Sequence, residues 1–223
     1  MAAGKFITFE GGEGSGKSTQ ATLLAERLRA RGIEVVLTRE PGGSPFAEAL
    51  RTVILDPEMP AHSALSEALL FYAARADHLD KSIRPALNAG AWVICDRFSD
   101  STRVYQGEAG GLPGDVLDAL EEMVVAPTTP DLTFILDLPA ELGLGRAQGR
   151  RLVAPSADTE PDAYEKRDLG FHWKLREAFA AIAKTEPQRC VLIDAAADEA
   201  DVARAIWNAV ERRLFAQERS EAR

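Results

Sequence analysis

Residues 5–19 read KFITFEGGEGSGKST, Lys5 to Thr19, and the fold follows from this stretch. Phe6-Ile7-Thr8-Phe9 is a short apolar, β-prone run suited to a buried strand, and it breaks straight into glycine. Gly11-Gly12-Glu13-Gly14-Ser15-Gly16-Lys17-Ser18 fits G-x-x-x-x-G-K-[ST], the phosphate-binding P-loop. Glycines let successive backbone N–H groups turn inward around a polyphosphate, where a Cβ would collide or forbid the dihedrals. The helix that follows points its positive end at the same anion. Lys17 adds a mobile charge for the outer phosphates, and the Ser18 hydroxyl is placed to ligate magnesium. The dinucleotide pattern G-x-G-x-x-G fails, because no three glycines stand at those offsets. The candidate nucleoside-triphosphate site is therefore Gly11, Gly12, Glu13, Gly14, Ser15, Gly16, Lys17, Ser18 and Thr19.

Bulk properties narrow the class. A chain of 223 residues with 46% hydrophobic content can bury one sizeable core. No run of about eighteen apolar residues occurs, so no membrane-spanning helix is expected. The N-terminus carries no apolar signal core and runs directly into the first strand. Cys95 and Cys190 each sit at an end of a predicted buried strand and read as reduced core residues of a cytoplasmic protein. A net charge of −9 disfavours nucleic-acid binding, which usually needs a basic face. It does not oppose a small phosphate ligand, for which a few focused arginines suffice.

Strands and helices alternate along the chain. Strands are expected at 6–9, 34–38, 91–95, 132–136 and 190–194. Helices are expected at 18–31 (stopped by Gly32), 45–55, 63–87, 113–125, from 140 into Arg146, Arg150 and Arg151, 164–184 and 200–215. A further short helix through Gln106 would take Asp100 or Ser101 as its cap. Residues 152–162 are polar with two prolines and read as a flexible loop, and 216–223 as a frayed charged tail. This order implies a doubly wound α/β domain with a five-stranded parallel sheet. Ligands of such sheets lie beyond the carboxyl ends of the strands. The notable clusters, 10–18, 39–43, 96–101 and Asp194, all fall there.

A P-loop alone does not separate a kinase from a switch or a motor. The N-K-x-D base reader of GTPases is missing, and the strand-end aspartate Asp96 is followed by Arg97 rather than by a second acid. An Asp-Arg pair suits phosphoryl transfer: the carboxylate for a magnesium shell, the guanidinium for an acceptor phosphate.

From these residues the chain resembles the bacterial thymidylate kinases over nearly its whole length. The specific pieces are FEGGEGSGKST, TREPGGSPFAEALR, LLFYAARADHL, CDRFSDSTRVYQG and LIDA. The resemblance implies a P-loop nucleotide-kinase fold, transfer of the γ-phosphoryl of ATP to dTMP giving dTDP in dTTP synthesis, and Mg2+ as cofactor. It also implies a homodimer packed through the second and third helical segments. It assigns Glu13 to the 3′-hydroxyl, Phe71 to stacking on thymine, Arg75 to a base carbonyl and Ser101 to the base edge. Arg97, Arg39 and Arg51 would hold the acceptor phosphate. Tyr105 would fill the space of a ribose 2′-hydroxyl with Gln106 beside it, and Ser18 and Asp96 would serve the metal. Lys17, Asp96 and Arg97 would form the catalytic core.

Each assignment has a plainer competitor. Phe71 reads equally as core, Arg75 and Arg51 as solvated helix residues, and Tyr105 with Gln106 as a helix end before Gly107. His62, His78 and His172 show no paired ligand spacing and read as structural. In the family an extra arginine comes either from the P-loop or from a lid that ends D-R-[FI]-E. Here Gly14 occupies the loop position, and the lid, residues 146–165 of one domain spanning 1–223, ends Asp162-Ala163-Tyr164-Glu165. Arg150 or Arg151 is then expected to supply the closing charge. Other readings are a kinase for CMP, UMP or a deoxynucleoside, and a P-loop regulatory protein that binds without turnover.

Overall fold

In the computed structural model, which describes residues 4–153 and 163–215 (side chains for 4–149 and 163–215), five parallel strands are ordered β2-β3-β1-β4-β5. β1 is Phe6–Glu10, β2 Val35–Arg39, β3 Trp92–Asp96, β4 Leu132–Asp137 and β5 Cys190–Asp194. The five predicted strands all form. Four of them run one residue further than their apolar runs suggest, ending on Glu10, Arg39, Asp96 and Asp137. The reason is that the ladder pairs backbone and is indifferent to a charged side chain: Arg39 stands opposite Asp96, and Glu10 opposite Ile135. The register therefore lines these charges up along one edge of the sheet.

β1 lies at the centre because the chain winds one way to β3 and β2, then the other way to β4 and β5. The loop leaving β1 emerges at that switch point, where open α/β sheets hold ligands. Alternation along β1 divides the core. Ile7 and Phe9 pack with Leu24 and Leu28 of α1 (Lys17–Arg29) and with Val202, Ile206 and Trp207 of α9 (Glu199–Val210). Phe6 faces the opposite side, with Val93, Cys95, and Tyr72 of α3 (Ala64–His78). Thr8 and Glu10 share that second face and are fully buried. Thr8 meets the Thr133 hydroxyl at 2.7 Å, so this polar pair in the middle of the sheet is satisfied.

Several helix boundaries need correction. The predicted helix 63–87 is α3, a wide turn Leu79–Ile83, then α4 (Arg84–Asn88). Pro85 has no N–H to give the preceding turn, which fits the re-spaced ladder before it. Helix α5 (Ser99–Thr102) has no side-chain cap, so neither Asp100 nor Ser101 caps it. Asp100 takes the Arg189 guanidinium at 2.6 Å instead, and Ser101 donates to Glu10 at 2.6 Å. A wide turn Arg103–Glu108 follows, and another, Glu211–Phe215, ends what was expected to be continuous helix 200–215. The helix expected from 164 begins only at Leu169 (α8, Leu169–Thr185), because Asp168 accepts from the Phe171 N–H and caps it there. α2 (Pro45–Leu55) forms as expected, with Ser44 accepting from the Ala47 N–H. α6 is Gly114–Val124 and α7 is Ala140–Val153. The predicted loop 152–162 lies outside the described residues except for the end of α7, and the tail 216–223 lies wholly outside them.

Candidate active site

The P-loop closes tightly against its neighbours. Gly11 has φ 134°, and a Cβ there would stand 2.5 Å from the Leu136 carbonyl oxygen of β4. At Gly14, φ 65°, a Cβ would meet the Gly143 carbonyl of α7 at 2.0 Å. With α7 in this position the loop has no room for a side chain after Glu13. Gly143 answers in kind, since its own Cβ would lie 2.2 Å from the Glu13 carbonyl.

Lys17 is folded back over the loop, donating to the carbonyls of Gly11 at 3.1 Å and Gly12 at 2.7 Å. Burial and the nearby Arg97 charge bring its ammonium down to about 8, against the pull of Glu13 and Asp96. The Ser18 hydroxyl donates to the Asp96 carboxylate, so the last residues of the P-loop motif and of β3 touch. A hydroxyl and a carboxylate side by side are hard oxygen donors of the kind Mg2+ takes when phosphates complete its shell. Among the described residues no three His, Cys, Asp or Glu gather into a cation cage.

Arg97 connects the two halves of the cleft. It donates through Nη2 to Glu13 at 2.6 Å and through Nη1 to the Gly11 carbonyl at 3.0 Å, with Ser101 Oγ at 3.3 Å. Its backbone sits at φ 69°, the left-handed region that a non-glycine residue enters at a cost of about 1–3 kcal/mol. Nothing in the local sequence announces that strain. The loop is held in place by Glu10, whose carboxylate accepts from the Phe98 N–H at 2.8 Å and from Ser101 Oγ at 2.6 Å. Burial, and after it the charge of Asp100, push Glu10 up to about 8. For Glu13 burial pushes upward as well, but Arg97, Lys17 and the Tyr105 hydroxyl outweigh it and hold the carboxyl at about 2. That hydroxyl donates to Glu13 at 2.9 Å, and the Arg97 guanidinium lies 5.2 Å from the Tyr105 ring.

Glu13, Arg39, Arg51, Phe71, Ser101, Tyr105 and Gln106 line one cleft with Lys17, Ser18, Asp96 and Arg97. Phe71 is half-buried on that wall, and Tyr105 and Gln106 are buried in it rather than serving as a helix end. Arg39 pairs with Glu48 at 3.1 Å, and Arg51 donates to the Pro41 carbonyl at 2.8 Å. Arg75 is the exception: it is 1% exposed, not solvated, and sits behind the lining residues Glu40 and Thr102, to which it is hydrogen-bonded. The sequence gives no warning of its partners, Glu40 at 2.7 Å and Thr102 at 3.2 Å, although both line the cleft. Tyr164 was also missed as a wall residue. Its ring stands 5.2 Å from Tyr105 and 6.2 Å from Phe71, and the only sequence signal is an aromatic where the lid pattern has Phe or Ile.

The side chains of Arg150 and Arg151 lie outside the described residues. Of the remaining arginines near the predicted lid, Arg146 donates to the Ala195 carbonyl at 3.0 Å, and Arg167 lies over the Phe171 ring at 5.0 Å.

Residues 9–206 match the family model described as "Thymidylate kinase". The chain is 53% identical over 212 residues to a thymidylate kinase of Bradyrhizobium sp. (strain ORS 278), covering 95% of this chain and 92% of that one. It is 51% identical over 214 residues to one of Caulobacter vibrioides, covering 96% and 99%. Among solved structures, the crystal structure of thymidylate kinase from Ehrlichia chaffeensis superposes with a TM-score of 0.73 at 35% identity, over 93% of this chain and 99% of that one. With the P-loop, the strand-end Asp96-Arg97 pair and one cleft serving both, the chain belongs to the thymidylate kinase family.

Proposed function

We propose that this protein transfers the γ-phosphoryl of ATP to dTMP, releasing dTDP and ADP. The observation that carries the reading is the single cleft in which Arg97 bridges the phosphate loop and the Glu13–Tyr105 wall. A phosphate oxygen of dTMP attacks the γ-phosphorus, and the bond to the β-bridging oxygen breaks in line. The protein's contribution is to position two anions and offset their charge. Arg97, with Arg39 and Arg51, takes the acceptor phosphate. Lys17 leaves the carbonyls of Gly11 and Gly12 for the outer phosphates of ATP, which the loop from Gly11 to Thr19 cradles. Ser18 and Asp96 would hold Mg2+, which would offset the negative charge of the phosphates.

On the acceptor side, Phe71 stacks on the base, Arg75 and Ser101 read its edge, and Gln106 stands beside the sugar wall. Glu13 accepts from the 3′-hydroxyl. Tyr105, already hydrogen-bonded to Glu13, leaves no room for a 2′-hydroxyl. Arg150 or Arg151 brings the closing charge from a lid at 146–165 of a single 1–223 kinase domain.

The apolar side chains that α2 and α3 leave exposed, Phe46, Val53, Leu65 and Leu69, support a homodimer through these two packed helices. No helix among the described residues is long and apolar enough to cross a membrane. Both cysteines are free and buried, and burial pushes the Cys190 thiol up to about 12, which supports a reducing, cytoplasmic setting.

The test is ADP release with Mg-ATP against dTMP, dUMP, UMP, CMP and AMP. A clear preference for dTMP is expected. Turnover with another monophosphate in its place would overturn the base assignments, and dTMP binding without product would overturn the enzymatic reading.

A further inference from the structure

One buried network connects the turn after β2 to the end of α3. Thr38 Oγ1 lies 2.8 Å from His78 Nε2, and His78 Nδ1 lies 3.0 Å from Glu40 Oε1. The other carboxylate oxygen of Glu40 accepts from Arg75 Nε at 2.7 Å, and Arg75 Nη2 donates to Thr102 Oγ1. Arg75, His78 and Thr102 are at most 1% exposed and Glu40 is 6% exposed. Rings flank the guanidinium as well: its carbon lies 4.8 Å from the Tyr72 centroid and 5.2 Å from that of Phe98.

The consequence lies in what is left over. A carboxylate facing an arginine usually forms two parallel hydrogen bonds. Here His78 occupies one oxygen of Glu40, so Arg75 engages the other through Nε alone. Its Nη1 is buried and finds no hydrogen-bond partner among the described residues. An unmet donor of this kind costs about 1–3 kcal/mol, a cost that a ligand accepting the bond would remove. Both groups that grip Arg75, Glu40 and Thr102, line the cleft, and Phe71 stands one helical turn before it. A purely structural tie between β2 and α3 would not require an orphaned nitrogen.

We infer that His78 and Glu40 are positioning residues for acceptor selection. They hold Arg75 in a one-point grip, so that its free Nη1 is kept for the ring carbonyl that distinguishes a thymine from a cytosine. The inference rests on the dTMP reading above. It also gives a reason for Gly43, where any Cβ would stand 2.2 Å from the His78 ring nitrogen.

The experiment compares wild type with His78→Leu, His78→Gln and Thr38→Val, measuring KM for dTMP, KM for ATP and the ratio of kcat/KM for dTMP over dCMP. His78→Leu frees a Glu40 oxygen and lets Arg75 swing into a two-point pair. The expected result is a KM for dTMP up about tenfold, a dTMP:dCMP ratio down about tenfold (about 1.4 kcal/mol), and a KM for ATP within about twofold of wild type. His78→Gln, whose amide can bond both Thr38 and Glu40, is expected to restore most of the ratio. Thr38→Val removes only the hydroxyl that orients the ring, so it gives a smaller change of the same sign even if His78→Leu does not fold. An unchanged ratio in Thr38→Val and in whichever His78 variants fold, or a KM for ATP rising in step with that for dTMP, would overturn the inference. A wild-type enzyme that accepts dCMP as readily as dTMP would overturn the substrate reading itself, before any variant is considered.

Discussion

The two ends of the cleft are built from different materials. The end proposed for ATP is nearly all backbone from one contiguous stretch: Gly11, Gly12 and Gly14 supply carbonyls and tight turns, with Lys17 laid over them. The end proposed for the acceptor is nearly all side chain, drawn from distant segments. Arg39 ends β2 and Glu40 follows it, Arg51 sits on α2, Phe71 on α3, Ser101 and Thr102 on α5, and Tyr164 just before α8. A backbone site recognises what every polyphosphate shares and tolerates no added atoms. A side-chain site can discriminate a base and a sugar, but only while each group is held by another. Arg97 belongs to both, bonded to the Gly11 carbonyl on one side and to Glu13 on the other.

Breaking that bridge should give the largest effect. Arg97→Ala is expected to lower kcat by about 10²–10³-fold, the range seen when a group stabilising developing charge is removed. It should also raise the Glu13 pKa from about 2, because burial is then opposed by Lys17, Tyr105 and His172 without the larger Arg97 charge. Kinetics and a titration of the Glu13 carboxyl by NMR check the two halves. A kcat within about threefold of wild type would separate the two ends after all.

The second variant probes the backbone end alone. Gly14→Arg would restore an arginine to the loop, but its Cβ runs into the Gly143 carbonyl at 2.0 Å and its φ is positive. A loss of about 1–3 kcal/mol is expected from the crowding, seen as a Tm lower by several degrees, with no gain in kcat. Pairing it with a shift of α7 would be needed to make such an arginine useful.

The third test sharpens the contrast by pH. Glu10 supports the Phe98–Ser101 turn with a carboxyl raised from 4.5 to about 8. Between those values the folded protein retains a proton that the unfolded chain has released. Stability should therefore decline as pH rises through that window and level off above about 8. Glu10→Gln should flatten this slope in urea melts taken from pH 5 to pH 9. An unchanged slope would place the titrating group elsewhere.

The phosphate-loop geometry was legible in residues 5–19, because such a loop needs glycines and a lysine at fixed local spacing. The five strands were legible as short apolar runs, and their order follows from the crossover pattern. The proposed acceptor end comes only from resemblance to a family, and that resemblance says nothing of the Glu40, Thr102 and His78 contacts that fix Arg75. Those contacts join positions 40, 75, 78 and 102, and no local pattern encodes a hydrogen bond across such a span. The helix boundaries missed at Asp100 and Tyr164 have the same origin, since Asp100 serves Arg189 of a distant turn and Tyr164 packs on Tyr105. The sequence by itself determined a parallel α/β sheet with a phosphate loop at its centre and an Asp-Arg pair at a strand end. Only the tertiary structure decided that Arg97 is strained across both halves, that α7 forbids a side chain at Gly14, and that His78 limits Glu40 to a single grip on Arg75. The physical reason is one of range: backbone conformation is set by near neighbours, whereas a buried side chain takes its orientation from whatever the fold packs beside it.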